Sequence, residues 1–244
     1  MKVSNYRDLT IMNVTPDLQL MVACDSSASI GHKEHDTVHI DPEIVAACCL
    51  RVPLFELICV GAKPNLVVDM IGNEYESTGK KMLSGIHSEL KKAGLEDIPL
   101  NGSTEENMIS TMSSLGITVI GEHSGKFIQP VISKNDYLFQ LGEPFVGNEV
   151  IANLDHLCDY QDLYQLKADE SVVDMLPVGS KGIAYEGHVL ATDNNLKIEF
   201  YQPDATDLKK SAGPSTVVLV VVSAEKKFEF SLNQTNLLEI GQFK

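Results

Sequence analysis

The sequence predicts a mixed α/β (α+β) fold of two domains, residues 1–145 and 146–244. Apolar runs of strand length alternate with segments of helical periodicity through the first two-thirds of the chain, a pattern typical of β-α-β units. A polar, aspartate-rich and helix-like stretch over residues 148–170 then interrupts the alternation. Because the alternation restarts after this stretch, we expect a connector followed by a second, smaller α/β or α+β unit.

The first domain is predicted to hold two β-α-β units. A strand over residues 18–24 leads through a polar loop to a helix that begins at Asp41 and Pro42, since aspartate caps free N–H groups and proline fits the first turn. That helix should bend at Pro53 and stop at Gly61. The other predicted elements are strands over residues 65–71, 98–100, 117–120 and 137–141, and a helix over residues 77–93.

The second domain is predicted from a shorter series of segments. Two of its turns contain glycine, PVGSKG at residues 177–182 and SAGP at residues 211–214. A short helix should end at the second of these turns. The other predicted elements are strands over residues 172–176, 196–201, 216–223 and 227–232, and a helix over residues 183–191.

The formal net charge of −15 comes from 34 acidic and 19 basic residues. No basic patch or arginine-rich run occurs, which argues against a nucleic-acid-binding protein. An acidic protein can still bind ATP when divalent cations screen the phosphates, and carboxylates are then the expected ligands. The common phosphate-binding motifs, GxxxxGKS/T and GxGxxG, are absent, as is the kinase HRD and DFG set, so ATP would need another fold.

Targeting signals and zinc motifs are also absent from the sequence. No basic start leads into an apolar signal region, and the apolar runs over residues 66–68 and 217–222 are too short to span a bilayer. The five cysteines form no CxxC pair and the seven histidines form no HExxH motif. We therefore expect a soluble cytoplasmic protein with reduced thiols, no zinc site and no membrane partner.

The stretch over residues 23–64 carries the strongest indication of chemistry. Acidic residues fall at or near its turns: Asp25, Asp36, Asp41 and Glu56. A carboxylate at the end of an apolar strand, followed by small residues and a Gly-His-Lys loop, suits a metal–phosphate site, because Mg²⁺ takes carboxylates together with phosphate oxygens. The alternative is that Asp25 simply makes a turn, since Asp and Ser are common turn residues.

Two loops are further candidates for ligand binding. NGSTEEN at residues 101–107 offers Glu105 and Glu106 to Mg²⁺ while its backbone N–H groups face phosphate. The same residues also fit an ordinary helix start, Ser or Thr followed by Glu, which the sequence alone favours. The turns at residues 177–182 and 211–214 could form the floor of a small-molecule pocket, or they could be two ordinary glycine turns.

Four segments together resemble the aminoimidazole-ribonucleotide synthetase-like (PurM-like) ATP-binding superfamily. They are KEHDT at residues 33–37, LFELICVGAKP at residues 54–64, VVDM at residues 67–70 and GSTEEN at residues 102–107. Their order and spacing follow the superfamily pattern, and SAGP matches a turn often seen in its second domain. The resemblance covers nearly the whole chain. Within the superfamily, the chain looks most like the α-ribazole kinase branch, and it lacks the early Gly-Asp-Asp motif of thiamine-phosphate kinases.

The resemblance implies a PurM-like two-domain fold, in which the N-terminal sheet pairs with that of a second copy to form a dimeric barrel. It implies that ATP binds with Mg²⁺ near the subunit interface of a homodimer. It also implies phosphorylation of a small riboside, α-ribazole to α-ribazole 5′-phosphate, in cobalamin lower-ligand assembly. Two alternatives stay open: another phosphotransferase of the superfamily, such as a thiamine-phosphate kinase-like enzyme, and a non-catalytic nucleotide-binding protein.

The resemblance also suggests site residues. Two departures from the superfamily pattern bear on them: Glu56 replaces the usual Asp, and Ser103 stands where an acidic residue is common. Lys181 has a second interpretation as a solvated lysine of a surface turn. The catalytic candidates are Asp25, Glu56 and Glu106, and the metal candidates are Asp25, Glu105 and Glu106. The nucleotide-binding candidates are Lys33, Asp36, Asp69, Thr104 and Asn107, and the acceptor-binding candidates are Asp174, Gly179, Ser180, Lys181, Ser211 and Gly213.

Overall fold

The computed structural model describes residues 2–201, 208–233 and 236–244, which form two compact units, Met1–Phe127 and Ile128–Lys244. The division lies earlier in the chain than the predicted 145/146 boundary. The physical reason is the strand Tyr137–Gly142, which is central in the sheet of the second unit rather than the last strand of the first. No helix of the described ranges has the length and apolar character needed to cross a membrane.

The first unit contains a six-stranded sheet in the order β1-β2-β3-β8-β6-β7, a two-stranded parallel sheet of β4 and β5, and two helices. A short kinked turn, Tyr75–Gly79, precedes the second helix. The strands are β1 (Lys2–Tyr6), β2 (Leu9–Thr15), β3 (Leu18–Ala28), β4 (Ile30–Gly31), β5 (Val38–His39), β6 (Lys63–Ile71), β7 (Leu100–Thr104) and β8 (Ser114–Ser124), and the helices are α1 (Pro42–Cys59) and α2 (Lys80–Lys92).

The strand directions bring several chain ends together. Both β3 and β6 pair antiparallel with β8, which lies between them, and β7 pairs parallel with β6. The predicted unit β6–α2–β7 is therefore a β-α-β unit whose two strands are neighbours in the sheet. In the other predicted unit, β3–α1–β6, strand β8 lies between the two strands. As a consequence, β3, β6 and β7 end where β8 begins, at one edge of the sheet that we call the carboxyl edge.

Helix α1 begins at the carboxyl edge and runs back along the sheet. Its cap is as predicted: the Asp41 side chain accepts a hydrogen bond from the Glu43 N–H (3.1 Å), and Pro42 occupies the first turn. The helix ends before Gly61, which has a positive φ of 78°. Helix α1 approaches α2 closely at Gly85, where a Cβ would lie 2.0 Å from the Glu43 carbonyl oxygen. Contacts on both sides explain why α1 is apolar around nearly its whole circumference.

A buried ion pair joins α1 to α2. The Glu89 carboxylate, 4% exposed, lies 4.0 Å from the Arg51 guanidinium and accepts a hydrogen bond from Lys92. We expect Glu89→Ala to lower the free energy of unfolding by about 3 kcal/mol, because it leaves the buried Arg51 charge uncompensated. Urea denaturation measures this loss, with the exposed Lys92→Ala as the matched control. A Glu89→Ala loss no larger than that of the control would contradict the structural role.

The second unit is built on a five-stranded sheet in the order β10-β12-β9-β13-β11, and all of its pairings are antiparallel. Strand β12, which lies between β10 and the central strand β9, is fully buried over its whole length. The strands are β9 (Tyr137–Gly142), β10 (Val172–Pro177), β11 (Ile198–Phe200), β12 (Val217–Val222) and β13 (Leu237–Phe243), and the helices are α3 (Asn148–Ala152), α4 (Tyr160–Ala168), α5 (Gly182–Asp193) and α6 (Lys227–Asn233).

The main errors of the sequence prediction lie at the two ends of the chain. Strands β1 and β2 were not predicted, and the strand predicted over residues 227–232 is helix α6. The alternation of Phe228 and Phe230 resembles a strand with both rings on one face, but in the helix they point apart. Phe230 is 1% exposed and packs against Phe139, whereas Phe228 is 75% exposed. The short helix predicted before residue 211 falls largely on residues 202–207, outside the described residues.

Candidate functional site

The loop after β3 is fixed to the start of β8 by one buried carboxylate. Asp36 Oδ1 accepts the Ser113 N–H (2.8 Å), and Oδ2 accepts the Ser113 hydroxyl (2.7 Å) and the Lys33 N–H (2.8 Å). Burial alone would raise the pKa of Asp36, but these hydrogen bonds outweigh it and hold the pKa below its usual value. Asp36 therefore positions the backbone of Lys33 and has few lone pairs left for a ligand.

The Lys33 side chain lies at the carboxyl edge in an ion pair that the sequence did not suggest. Its Nζ is 2.5 Å from Glu74 Oε2, and the Thr78 hydroxyl donates to Oε1 of the same carboxylate (2.6 Å). Burial would raise the pKa of Glu74, but the hydrogen bonds from Lys33 and Thr78 lower it to about 2. The Glu74 carboxylate is therefore charged at neutral pH and compensates the lysine.

The loop after β7 reaches the same edge, and its two glutamates accept hydrogen bonds from backbone N–H groups and from one hydroxyl. Glu106 Oε1 accepts the Tyr75 N–H (2.8 Å) and the Thr104 hydroxyl (2.7 Å). Glu105 Oε1 accepts the N–H groups of Asn107 (2.7 Å) and residue 108 (3.1 Å). No helix begins here, so the helix-start alternative is wrong; the carboxylates instead cap the backbone of a turn.

A fully buried asparagine connects these loops. The Asn73 side chain donates to the Ser110 hydroxyl (2.7 Å) and to the Met112 carbonyl (2.8 Å), and its Oδ1 accepts the Ser114 N–H (2.9 Å). The Asn73 backbone carbonyl accepts the Glu105 N–H (3.0 Å). Asn73, Glu74 and Ser113 were missed at the sequence level, because only the sheet topology brings them into contact with residues that are 41 or 77 positions away.

Beneath the carboxyl edge, two aspartates lie in one row across the sheet. The register pairs Ile117 of β8 with Asp25 on one side and with Asp69 on the other, and it pairs Asp69 with Gly102 of β7. Residues paired in register face the same side, so both carboxylates lie on the face covered by α1, about 10 Å apart at their Cα atoms. A Cβ on Gly102 would lie 2.2 Å from Asp69 Oδ2, so only glycine leaves room for this carboxylate.

Both aspartates of this row carry raised pKa values. Burial raises the pKa of Asp25, although the Ser26 N–H and the Cys49 thiol donate to it, and burial likewise raises the pKa of Asp69. Asp69 is only 3% exposed, and its own backbone N–H is the one donor that the described residues supply to its carboxylate. Burying a charged carboxylate with so few hydrogen-bond donors lowers the stability of the fold. Because groups with such perturbed pKa values cluster at functional sites, Asp69 is a candidate for ligand binding.

The structure does not bring Glu56 to this site. Glu56 lies fourteen residues after Pro42, the first residue of α1, which corresponds to about 21 Å of helix measured away from the carboxyl edge. It is half-buried two turns beyond Cys49, the residue that contacts Asp25. Glu56 matches the position of the superfamily's aspartate in sequence. In the structure, however, α1 places the Glu56 side chain toward the end of the sheet opposite the carboxyl edge.

The three carboxylates predicted as metal ligands do not form one site. Within the described ranges, no group of three or more His, Cys, Asp or Glu side chains is placed to hold a metal ion. Asp25 lies within the sheet, whereas Glu105 and Glu106 cap loop backbone. The pair Asp25 and Asp69 fits Mg²⁺ better, because Mg²⁺ takes one or two carboxylates and completes its shell with waters and phosphate oxygens.

In the second unit, the two glycine-containing turns meet. The Gly179 carbonyl accepts the N–H groups of Ala212 (3.2 Å) and Gly182 (3.3 Å), so the turns before α5 and before β12 share one hydrogen-bonded group. The exposed Lys181 lies at the start of α5, with its Nζ 3.0 Å from the Tyr185 hydroxyl. The two turns are thus adjacent, with Lys181 folded against Tyr185, and their role as the floor of a pocket stays a prediction.

The remaining acceptor-binding candidates differ in exposure. Ser180 is exposed, and the Ser211 hydroxyl accepts the Gly213 N–H (3.4 Å). Asp174 lies inside β10, within the strand predicted over residues 172–176; it is buried and accepts the Met175 N–H (2.9 Å). Its position within a buried strand makes it a structural residue of this sheet.

Comparisons with known proteins identify the fold. Residues 5–123 match the family model described as AIR synthase related protein, N-terminal domain. No curated protein matches the chain in sequence. Thiamine monophosphate kinase from Aquifex aeolicus has a similar structure, with 14% identity, 99% of this chain and 90% of that chain covered, and a TM-score of 0.69.

Two further solved structures are similar over most of their length. AaThiL complexed with AMPPCP and TMP is 14% identical, with 97% of this chain and 84% of that chain covered and a TM-score of 0.68. The hydrogenase maturation protein HypE of E. coli is 12% identical, with 91% and 79% covered and a TM-score of 0.65. The predicted PurM-like mixed α/β fold is therefore confirmed, and residues 5–123 match the N-terminal domain of AIR synthase related proteins.

Proposed function

We propose that this chain is an ATP-dependent phosphotransferase that acts on a small riboside, with α-ribazole as the preferred acceptor and α-ribazole 5′-phosphate as the product. The observation that carries the proposal is the row of Asp25 and Asp69 beneath the carboxyl edge, two carboxylates whose burial raises their pKa values. Similarity to a structure containing AMPPCP, an ATP analogue, supports the nucleotide. The acceptor and a role in cobalamin lower-ligand assembly are supported by three motifs that resemble those of the α-ribazole kinase branch. They are DSS at residues 25–27, GSTEEN at residues 102–107 and PVGSKG at residues 177–182.

Phosphoryl transfer requires positioning and charge neutralisation rather than a covalent enzyme intermediate. Asp25 and Asp69 would hold Mg²⁺, which supplies positive charge to the phosphate oxygens. Gly102 leaves the space that the Asp69 carboxylate fills, and Asp36 fixes the backbone of Lys33, whose ammonium group faces the edge. Thr104 and Asn107 lie at the end of β7 and in the loop after it, at the same edge, and would contact the nucleotide. Hydrogen bonds to Glu106 and Glu105, respectively, hold them in place.

The acceptor would bind at the turns of the second unit. Gly179 and Ser180 in the first turn, and Ser211 and Gly213 in the second, offer N–H and hydroxyl groups to ribose oxygens. Lys181 would exchange its contact with Tyr185 for a ligand oxygen. In this proposal Asp174 supports the sheet beneath the turns instead of contacting the riboside.

We also propose a homodimer formed through the face of the first sheet opposite α1. This face carries partly or fully exposed apolar side chains, among them Val22, Ile120, Val68 and Met70. An apolar sheet face of this kind is typical of a protein interface. Sedimentation at micromolar concentration should give twice the chain mass, whereas a stable monomer under the same conditions would overturn this part of the proposal.

The test of the function is ADP formation by the pure protein with ATP, Mg²⁺ and a panel of acceptors. We expect ADP to form with α-ribazole and not with thiamine monophosphate or common nucleosides. ADP formed only with thiamine monophosphate would favour the thiamine-phosphate kinase alternative, which the structural similarity keeps open but the missing Gly-Asp-Asp motif disfavours. ATP binding in calorimetry without turnover on any acceptor would support a non-catalytic nucleotide-binding protein.

A further inference from the structure

Three hydrogen-bond donors converge on the Glu74 carboxylate at the carboxyl edge. Lys33 Nζ lies 2.5 Å from Oε2, the Thr78 hydroxyl donates to Oε1 (2.6 Å), and the Ser110 hydroxyl lies 3.4 Å from Oε2. The Lys33 and Glu74 side chains are 20% and 34% exposed, so the pair is accessible at its rim. One ammonium group and two hydroxyl groups around an anion are also the donor set that binds a phosphate group.

Two of the three donors, Lys33 and Ser110, are held independently of Glu74, which means that they would remain in place without it. The Lys33 N–H donates to Asp36, which is itself fixed by Ser113, so the base of the lysine side chain does not depend on the ion pair. The Ser110 hydroxyl accepts from the Asn73 amide (2.7 Å).

The backbone that carries Glu74 is strained. The segment Tyr75–Gly79 follows it directly, and within this segment Ser77 has φ 61° and ψ −59°. This γ-turn conformation with positive φ is rare and costly for a residue with a side chain, and such strain is often found where a segment changes conformation. Glu74 therefore sits at the start of a segment that can gain stability by rearranging.

We propose that Glu74 occupies the place of a phosphate group on Lys33, and that a nucleoside triphosphate binds by displacing the Glu74 carboxylate. This inference rests on the proposed function, since it assigns the displacing phosphate to the nucleotide of that site. Glu74 is then a positioning residue. It holds Lys33 at the edge, and the nucleotide must compete with it. The apparent affinity is therefore the intrinsic affinity multiplied by the fraction of molecules in which the pair is open.

The test compares Glu74→Gln with Glu76→Gln, an exposed residue of the same segment whose replacement changes the net charge equally. Calorimetric titration with AMPPCP should give a Kd about 10-fold lower for Glu74→Gln than for the natural protein, and no change for Glu76→Gln. In steady-state kinetics, the KM for ATP should fall while kcat does not rise. In a Lys33→Met background, the gain from Glu74→Gln should disappear.

Two outcomes would overturn the inference. An unchanged AMPPCP affinity in Glu74→Gln would show that Glu74 does not compete with the nucleotide. A weaker affinity, similar to that of Lys33→Met, would show that the ion pair helps to form the binding site instead of masking it. A different result would overturn the proposed function: the natural protein binds AMPPCP but transfers no phosphate from ATP to any riboside. In that case, a lower Kd of Glu74→Gln for AMPPCP would still support displacement of the Glu74 carboxylate by the nucleotide.

Discussion

Replacing Asp69 with asparagine is expected to lower turnover by roughly 100-fold or more, about 3 kcal/mol of transition-state stabilisation, because it removes a carboxylate that would neutralise phosphate charge through Mg²⁺. The same change should not lower the melting temperature. Burial raises the pKa of Asp69, so the charged carboxylate opposes folding above its usual pKa, and the neutral amide removes this cost. Steady-state kinetics and thermal unfolding of one preparation measure both effects.

The matched control is Asp17→Asn, an exposed residue in the turn between β2 and β3 at the opposite end of the sheet. It should change neither turnover nor melting temperature. Turnover of Asp69→Asn within a few-fold of the natural protein would contradict a role for the carboxylate row. A large fall in melting temperature would instead indicate that Asp69 is a structural residue.

Gly102→Ala is expected to lower turnover by about 100-fold, because a Cβ placed 2.2 Å from Asp69 Oδ2 must push that carboxylate out of its position. The clash is with the end of a side chain rather than with backbone, so we expect only a small loss of stability. The two substitutions should also be non-additive. Once Asp69 is asparagine, adding Gly102→Ala should cost much less than 100-fold, because both changes act on the same group.

Additive losses in this double-mutant cycle would contradict the mechanism assigned to Gly102. They would show that the added methyl group disturbs the β7 loop, where Thr104 and Glu106 are hydrogen-bonded, rather than the Asp69 carboxylate. The cycle therefore distinguishes an effect of Gly102→Ala on the Asp69 carboxylate from an effect on the β7 loop.

Much of the fold could be predicted from periodicity and from helix caps. Asp41 and Pro42 start α1 as expected, because their effect is local. The secondary-structure elements near both ends of the chain were harder to predict. Strands β1 and β2 carry few of the long apolar runs that mark a buried strand, and α6 was mistaken for a strand because Phe228 and Phe230 alternate with polar residues.

The candidate site was predictable in its residue types but only partly in its partners. Asp25 was named from its place at the end of a strand and Asp69 from the superfamily resemblance. Their shared row depends on β8, whose place between β3 and β6 is a long-range pairing. Glu105 and Glu106 were named as metal ligands because the sequence does not show that they bind loop N–H groups. Glu74 carried no motif at all, since its role arises only from the contact with Lys33.

The most direct test of the central claim is the product of the reaction itself. Pure protein would be mixed with ATP, Mg²⁺ and α-ribazole, and mass spectrometry would quantify α-ribazole 5′-phosphate against the ADP formed. We expect one phosphorylated riboside for each ADP, and loss of both products in Asp69→Asn. ADP without a phosphorylated riboside, or ATP bound and left intact with every riboside, would contradict it.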